Sequence, residues 1–311
     1  MESLYLSVTN PGQAPTKSIR MFIRRTWLLL MALLLAGFVI PCKGQTHKMA
    51  PGATLYTVRD LMEKDPKGVL KQMADLGYVN IEATNYEDGK FYGMAPAEFK
   101  SYLEQLGLVP LSVHQGGVTL ENADQLIADS KAAGFQYFVI PVPPMGHFGF
   151  NRETRSMFMS GTVEEVTDII NQVGAKCKAA GIKLLYHNHD FELKPNEAGV
   201  VPLQYFLEHT DPEVVNFQMD LYWVTRAGVD PLEYFEKYPG RFKVWHVKDM
   251  DSQGRFAPVG TGSIDFRRIL AQKEQAGMEY YIVEQDRTFD GQKPMEALKV
   301  SFDNLKEIGF R

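Results

Sequence analysis

The sequence predicts a single-domain (β/α)8 TIM barrel that follows an N-terminal signal peptide, and three observations lead to this prediction. Short apolar runs alternate with amphipathic stretches, giving eight such units along the chain. A glycine ends five of the amphipathic stretches just before the next apolar run. Titratable side chains stand at the ends of most apolar runs. Strict alternation indicates a parallel sheet covered by helices, and eight units are the number that closes a barrel.

Residues 1–44 are predicted to be an upstream extension followed by a secretory signal peptide. Residues 1–20 are polar and patternless, so Met21 is the expected start. A pair of arginines then precedes an apolar run at 27–40, which is the order found in signal peptides. This run is shorter than the roughly 20 residues of a membrane span, so no stable membrane insertion is expected after cleavage.

The expected cleavage site follows Gly44, because Cys42 and Gly44 supply the small side chains that signal peptidase reads. Residues 45–311 would then form an exported, periplasmic barrel. An uncleaved membrane anchor is the first alternative. A lipoprotein attached through Cys42 is the second, and Pro41 directly before this cysteine disfavours it.

Charge and cysteine content argue against several classes of function. The whole chain has a formal net charge of −5. Loss of residues 1–44 would change this value to −9, because that segment carries five basic residues and one acidic residue. An acidic protein of this kind is a poor partner for nucleic acid or anionic membranes. Cys177 would be the only cysteine left, so no intrachain disulfide is expected.

Eight runs rich in β-branched, aromatic and other apolar residues are predicted to be strands. Each is bounded by glycine, proline or charged residues, as strands usually are. In chain order the predicted strands are 54–57, 78–82, 109–114, 137–142, 183–187, 214–220, 243–246 and 280–284.

The stretches between the strands carry apolar residues at three- and four-residue spacing, which is typical of amphipathic helices. The predicted helices are 69–76, 96–106, 122–133, 163–180, 203–209, 266–276 and 295–308. The five glycines at helix exits are Gly77, Gly107, Gly134, Gly181 and Gly277. An open doubly wound sheet would show the same alternation. Its dinucleotide-binding form is disfavoured, because Tyr-Thr-Val-Arg at 56–59 stands where a glycine-rich phosphate loop would be.

Catalytic residues of a closed barrel gather at the C-terminal ends of its strands. The ends of the predicted strands carry Glu82, His114, His187, His189, Asp220, His246 and Glu284. Four of the seven histidines of the chain are in this set, so we interpret it as one functional site. Taken singly, Asp220 could be a helix cap, His246 a core histidine and Glu284 a loop residue.

Asp220, His246 and Glu284 offer oxygen and nitrogen ligands without a thiolate. Such a set suits a divalent ion of Mn, Co, Mg or Zn, and the residues do not choose among them. A metal there would polarise hydroxyl and carbonyl oxygens of a substrate and lower the pKa of an adjacent C–H or O–H group.

The fifth predicted strand and the residues after it are the richest segment for chemistry. His187 and His189 point to the same side of a strand, while Asn188 points away. Either histidine can bind a metal or act as a general base. Glu192 lies just beyond and can fold back as a metal ligand.

At these residues the chain resembles the sugar phosphate isomerase/epimerase superfamily, the xylose isomerase-like barrels that also include the AP endonuclease family 2. The resemblance covers residues 50–311 and rests on five features. These are YHNHDFE at 186–192, Asp220, HVKD at 246–249, VGTGSID at 259–265 and Glu284. It implies a divalent metal held by strands five to eight, with Asp220, His246 and Glu284 as three ligands.

The fourth ligand departs from the family pattern. Many relatives end strand five with a glutamate, one residue and a histidine, whereas this chain has His187-Asn188-His189. Glu192 is favoured as the replacement ligand, and His187 is the competitor. The roles that the resemblance implies for other residues are catalysis by His189, His187, Lys248 and Glu284, and substrate binding by Glu82, His114 and Lys248.

The function that the resemblance implies is isomerisation or epimerisation of a free sugar or keto-sugar by proton abstraction next to a carbonyl. A metal-dependent lyase or hydratase (dehydratase) acting on a keto-sugar or 3-keto-glycoside is the alternative, which the histidine-rich fifth strand favours. A catalytically inactive sugar-binding barrel is a third. The expected partner is a small sugar and not nucleic acid, with a homo-oligomer left open.

Overall fold

The structure is a computed structural model that describes residues 49–154 and 156–310. The predicted signal peptide, including Cys42 and Gly44, lies outside those residues. Within the two described ranges, no helix is long and apolar enough to cross a membrane.

Eight parallel strands close into a barrel, which confirms the predicted fold class. In chain order they are β1 (Gly52–Thr54), β2 (Asn80–Ala83), β3 (Val109–His114), β4 (Tyr137–Ile140), β5 (Lys183–His187), β6 (Val215–Asp220), β7 (Phe242–Val247) and β8 (Tyr280–Val283). Each strand pairs with its neighbours in sequence, and β8 closes the ring on β1.

The helices surround the barrel, and most lie where the apolar spacing predicts them. They span Arg59–Met62, Pro66–Leu76, Pro96–Gln105, Ala123–Ala132, Val163–Ala180, Pro202–His209, Leu221–Arg226, Pro231–Lys237, Phe266–Leu270, Lys273–Ala276 and Pro294–Ile308. The predicted helix 266–276 is two short helices in the structure. Gly77, Gly181 and Gly277 end their helices with positive φ, a conformation that favours glycine.

Two layers of apolar side chains hold the barrel together. The strand residues that face outward pack against the helices in one large core, which includes Leu184 and Tyr186 of β5. The alternate residue Leu185 belongs to a smaller cluster, with Val139 and Val244, that fills the inside of the barrel. This alternation follows from the two-residue period of a strand.

The first strand ends earlier than predicted, for a local reason. The Thr54 side chain accepts a hydrogen bond from the backbone N–H of Tyr56 at 3.3 Å. This contact caps a 3-10 turn over Leu55–Val58, so the chain leaves the sheet at Thr54 instead of continuing to residue 57.

Three short hairpins that the sequence analysis did not predict follow β2, β4 and β7. The hairpins are Tyr86–Glu87 with Lys90–Phe91, Phe148–Asn151 with Ser156–Met159, and Asp249–Met250 with Phe256–Ala257. Since each follows the C-terminal end of a parallel strand, all three lie around the same mouth of the barrel.

Candidate active site

Most of the predicted site residues lie at the C-terminal mouth of the barrel, in or beneath the wall of a cavity of about 320 Å³ that we call the catalytic pocket. Its lining comes from the ends of several strands and from the loops that follow them. It comprises Tyr56, Thr84, His114, Gly116, Pro141, Val142, Met157, His187, His189, Trp223, Lys248, Glu284 and Asp286.

Asp220 and His246 lie next to the pocket-lining Glu284, and all three residues are buried. Their ligand atoms are within 4.8 Å of one another. The His246 Nδ1 atom lies 2.9 Å from Glu284 Oε2 and 3.9 Å from Asp220 Oδ2. The barrel therefore brings together the three residues that the sequence analysis grouped as metal ligands.

The two carboxylate oxygens of Asp220 have different partners. Its Oδ1 atom accepts a hydrogen bond from the backbone N–H of Trp223 at 3.0 Å and so caps the helix Leu221–Arg226. Its buried Oδ2 atom is ion-paired with the Lys248 ammonium at 3.0 Å and has no well-aligned hydrogen bond within the described part of the chain. From the sequence, Asp220 could either cap a helix or bind a metal. The two roles are compatible because they use different oxygens of the carboxylate.

His246 bridges two carboxylates. Its Nε2–H donates to Glu82 Oε1 at 2.8 Å, and its Nδ1–H donates to Glu284 Oε2 at 2.9 Å. Burial alone would lower the pKa of His246, but the charges of Glu82 and Glu284 outweigh it and raise the pKa to about 10. The two carboxylates therefore favour the doubly protonated imidazole, and a metal bound at Nδ1 would have to replace the proton shared with Glu284.

Lys248 places a buried ammonium among three carboxylates. Its Nζ atom lies 3.0 Å from Asp220 Oδ2, 2.6 Å from Glu284 Oε2 and 2.8 Å from Asp286 Oδ1. Burial disfavours the charged form, but these carboxylates hold the pKa of Lys248 well above its usual range. The rings that surround the ammonium at 5.3–5.8 Å belong to Tyr222, Trp223 and Phe256.

Glu82 lies too deep for the substrate contact that the resemblance implied. Its side chain is 0% exposed. One oxygen faces His246 and His114, the latter at 3.1 Å. The other accepts hydrogen bonds from Ser112 at 2.8 Å and Gln218 at 2.7 Å. Both oxygens of Glu82 are therefore engaged by buried side chains, and the carboxylate orients the two histidines.

Gln218 links the histidines of the site and was missed in the sequence. Its side-chain oxygen accepts hydrogen bonds from His114 Nε2 at 2.9 Å and His187 Nδ1 at 3.0 Å. The ring nitrogens of His114, His187 and His246 form a second group within 4.8 Å of one another. Gln218 stands two residues before Asp220 on β6, so the strand period places both on the same side.

His189 is a neutral imidazole at the edge of the pocket. Burial, with the nearby Lys248 charge, lowers its pKa to about 3. Its Nδ1 atom is buried and has no hydrogen-bond partner among the described residues. The ring lies 5.5 Å from that of Trp223 and stacks on Phe191 at 6.2 Å.

Glu192, the favoured fourth ligand, is not brought to the other three. It follows β5 in a 3-10 turn and folds back on that strand. Its oxygens accept hydrogen bonds from the Tyr186 hydroxyl and the backbone N–H of His189, both at 2.9 Å. Burial raises its pKa to about 8. Within the described ranges, Glu192 belongs neither to the group of Asp220, His246 and Glu284 nor to the group of three histidines. His187, the competing fourth ligand, belongs to the group of three histidines.

Asp286 is a second site residue that the sequence analysis missed. It lines the pocket and contacts Lys248, and burial raises its pKa. The signal was present, because Asp286 stands two residues after Glu284 in the same strand exit.

Asp249 of the HVKD segment does not line the pocket. Its carboxylate accepts backbone N–H bonds from Gly260 at 2.9 Å, Gly262 at 2.8 Å and Ile264 at 3.2 Å. A Cβ atom added to Gly262 would lie 2.4 Å from Asp249 Oδ1, which explains the glycine. These hydrogen bonds join the HVKD segment at 246–249 to the VGTGSID segment at 259–265 and hold the loop after β7 in place.

The residues present fit a divalent metal at three ligand positions. The donor set is two carboxylates and one imidazole, which suits a hard or borderline ion. Asp220 Oδ2 is buried and lies 3.0 Å from the Lys248 ammonium, so a metal ion would compete with this ammonium for the oxygen. An ion bound to Asp220 and Glu284 would share both with the Lys248 ammonium.

Comparisons with known proteins agree with this architecture. Residues 70–308 match the sequence model of the xylose isomerase-like TIM barrel family. An inosose dehydratase from Geobacillus kaustophilus is 26% identical over 66% of this chain and 74% of that protein. A sugar phosphate isomerase/epimerase structure from Parabacteroides distasonis is 26% identical, with a TM-score of 0.70 over 86% of this chain and 96% of its own.

A structure of the IolI protein with a bound zinc atom shares the fold. It is 15% identical, and its TM-score is 0.65 over 83% of this chain and 97% of its own. The closed barrel and the family match over most of the chain agree with each other. The chain belongs to the xylose isomerase-like TIM barrel family, whose solved relatives include sugar phosphate isomerases/epimerases.

Proposed function

We propose that the protein is a divalent-metal-dependent lyase that removes a proton next to the ketone of a keto-sugar or cyclic keto-polyol and expels a leaving group from the adjacent carbon. Relatives named inosose dehydratase support this reaction class. A zinc atom in the IolI protein supports the metal.

The observation that carries the proposal is the asymmetry of the pocket. Glu284 and Asp286, both at the end of β8, share the Lys248 ammonium. Across the pocket, three strands away around the barrel, β5 contributes the neutral imidazole of His189. One free base facing a fixed cation suits elimination, in which a proton and a leaving group depart at different places.

His189 is suited to take the proton. Its low pKa keeps the imidazole unprotonated at neutral pH, and His189 lines the catalytic pocket. The same low pKa makes it a weak base, so the C–H bond has to be acidified. A bound divalent metal would supply this by polarising the ketone oxygen.

Lys248 is suited to stabilise negative charge on oxygen. Its raised pKa keeps the ammonium protonated, and the carboxylates of Asp220, Glu284 and Asp286 fix its position. It can donate a hydrogen bond to a leaving hydroxyl or to an enolate oxygen without reorganising. Glu82 and Gln218 contribute indirectly by orienting His246 and His114.

An isomerase or epimerase is the second candidate, and Glu284 favours it. Its carboxylate lines the pocket together with His189, and a second base is what a proton return to the other face would need. Both reactions begin with the same proton abstraction. A sugar-binding barrel without catalytic activity would bind its ligand in the catalytic pocket and would not need His189 as a base.

The experiment that separates these functions follows solvent deuterium and product structure together. The purified chain is incubated in D2O with inosose or a keto-sugar, with each of Mn, Co, Mg and Zn in turn. We expect metal-dependent loss of the α-proton and a dehydrated, ultraviolet-absorbing product. Deuterium incorporation with an intact carbon skeleton would show epimerisation instead. Substrate binding without any exchange would contradict catalysis by this site.

A further inference from the structure

A second cavity, of about 460 Å³, opens at the same end of the barrel as the catalytic pocket. We call it the distal cavity. Thr84, which directly follows β2, lines both cavities. The distal cavity is larger than the catalytic pocket, and nothing in the reaction proposed above uses it.

The first hairpin forms one wall of the distal cavity. Asp88 in its turn and Tyr92 after it have φ values of 48° and 51°, in the left-handed region that residues other than glycine rarely adopt. Phe91 is buried in the core between them. The Tyr92 hydroxyl accepts a hydrogen bond from the backbone N–H of Thr84 at 2.9 Å. The wall is therefore held in place despite its unfavourable backbone, as is common near binding sites.

Tyr56 and Arg59 stand between the two cavities. Tyr56 lines the catalytic pocket and is 39% exposed, although large aromatic side chains are mostly buried in this protein. The guanidinium of Arg59, which lines the distal cavity, lies 4.3 Å from the centre of the Tyr56 ring. Arg59 also donates hydrogen bonds to the backbone oxygens of Tyr56 at 2.9 Å and Asp286 at 3.0 Å. These contacts fix an aromatic face at the boundary.

The lining of the distal cavity is polar and of mixed charge. Its polar and charged side chains include Asn85, Glu63, Glu87, Lys90 and Arg59. The three acidic side chains of Glu63, Glu87 and Asp88 outnumber the basic ones of Arg59 and Lys90, which disfavours an anion such as a phosphate ester. Many hydrogen-bonding groups beside an aromatic ring suit an uncharged, polyhydroxylated ring.

We infer that the distal cavity is a subsite for a second, uncharged sugar ring joined to the ring that reacts. The substrate is then a keto-glycoside of at least two rings and not a free keto-monosaccharide. This inference rests on the proposed function for the identity of the reacting ring. It rests on the distal cavity alone for the second ring.

The kinetic test compares two substrates that share the reacting ring, 3-keto-glucose and a 3-keto-disaccharide of glucose. Both are assayed with the full chain and the metal that supports turnover. We expect kcat/KM to be at least tenfold higher for the disaccharide, mainly through a lower KM.

A variant that fills the distal cavity makes the test specific. Asn85→Trp places a large ring in the distal cavity, and it should bring the disaccharide-to-monosaccharide ratio of kcat/KM close to one. The matched control is Gln72→Trp. Gln72 is also exposed, and it lines a different surface cavity. The control variant should leave the ratio unchanged. Melting curves of both variants check that they fold.

A binding measurement keeps the inference testable without turnover. Calorimetry of the metal-free chain with an unoxidised disaccharide and with glucose should show tighter binding of the disaccharide, lost in Asn85→Trp. Equal binding and equal kcat/KM for one and two rings would overturn the subsite and leave the lyase intact. Tighter binding of the disaccharide, with no reaction of 3-keto-glucose or of the 3-keto-disaccharide, would overturn the lyase and leave the subsite.

Discussion

At the scale of single residues, the site is dominated by charges that are buried together. Glu82, His246 and Glu284 form a chain of two hydrogen bonds, and Lys248 closes it against Glu284 and Asp220. Each charge is expensive to bury alone, so each depends on its partners. Burial raises the pKa values of Asp220 and Asp286 and so favours their neutral forms. The charges of Lys248 and His246 outweigh burial at Glu284 and keep its pKa well below its usual range.

Lys248→Met should tighten divalent metal binding at least tenfold. The ammonium contacts two of the three ligands, and a unit charge about 4 Å away contributes about 4 kcal/mol at an effective dielectric constant of about 20. Its removal leaves three carboxylates that attract a cation more strongly. Titration of the metal-free chain with Mn²⁺ or Zn²⁺ in a calorimeter measures the change.

The matched control is Lys71→Met, which removes a lysine paired with Asp75 on the surface. It should leave the metal affinity as in the parent chain. Unchanged affinity in Lys248→Met, with a normal melting curve, would show that the ammonium does not compete with the metal.

Glu192→Gln should stabilise the protein increasingly as the pH rises. Burial raises the pKa of Glu192 to about 8, above the value of about 4.3 of a free glutamate. Stability from the neutral carboxyl is therefore complete below about pH 4 and is lost as the pH rises through about 8. Gln mimics that neutral form, so the melting temperature of the variant relative to the parent should increase from about pH 5 to about pH 8.

The same variant tests the ligand role predicted for Glu192. Thermal melts over this pH range and a metal titration are done on one preparation. If Glu192 only supports the turn after β5, the metal affinity stays unchanged. A constant difference in melting temperature, together with much weaker metal binding, would restore Glu192 as a ligand.

The sequence predicts the site residues at strand ends better than those in loops. Asp220, His246 and Glu284 were found because parallel strands bring their ends to one mouth. Gln218 and Asp286 follow the same period, but neither is a histidine or the last residue of a predicted strand. The path of Glu192 depends on a 3-10 turn and on Tyr186, which residue spacing does not encode.

At the scale of elements, the loops after the strands carry what is particular to this protein. Strand and helix positions follow from hydrophobic period and were predicted to within a few residues. The three hairpins are too short for a period to be visible, and the helices Leu221–Arg226 and Pro231–Lys237 were missed for the same reason. Loop structure here depends on side chains that bind backbone groups, such as Asp249.

Asp249→Ala should destabilise the fold by about 1–3 kcal/mol. It would leave the partly buried backbone N–H groups of Gly260, Gly262 and Ile264 without their acceptor, and water can replace only part of these bonds. Urea denaturation measures the change. Asp249→Asn keeps one oxygen acceptor and should cost less. Equal stability of all three proteins would contradict the role of Asp249 as the anchor of this loop.

At the scale of the whole molecule, export is the prediction that the described residues leave untested. We expect expression with residues 1–44 to yield a periplasmic protein whose first residue is Gln45, since Cys42 and Gly44 fit the peptidase. N-terminal sequencing and mass spectrometry of the fractionated protein measure this. A chain that keeps residues 21–44 in the membrane fraction would indicate an anchor. A lipid-modified Cys42 would indicate the lipoprotein.

The barrel also determines when the site can exist. Glu82 comes from β2, while Glu284 follows β8, and His246 touches both. No fragment released before residue 284 can contain this arrangement, however well its strands form. The centre is therefore completed only after the last strand of the barrel has left the ribosome. Its metal would be acquired in whichever compartment the finished chain closes, so the ions of that compartment would decide the metal it carries.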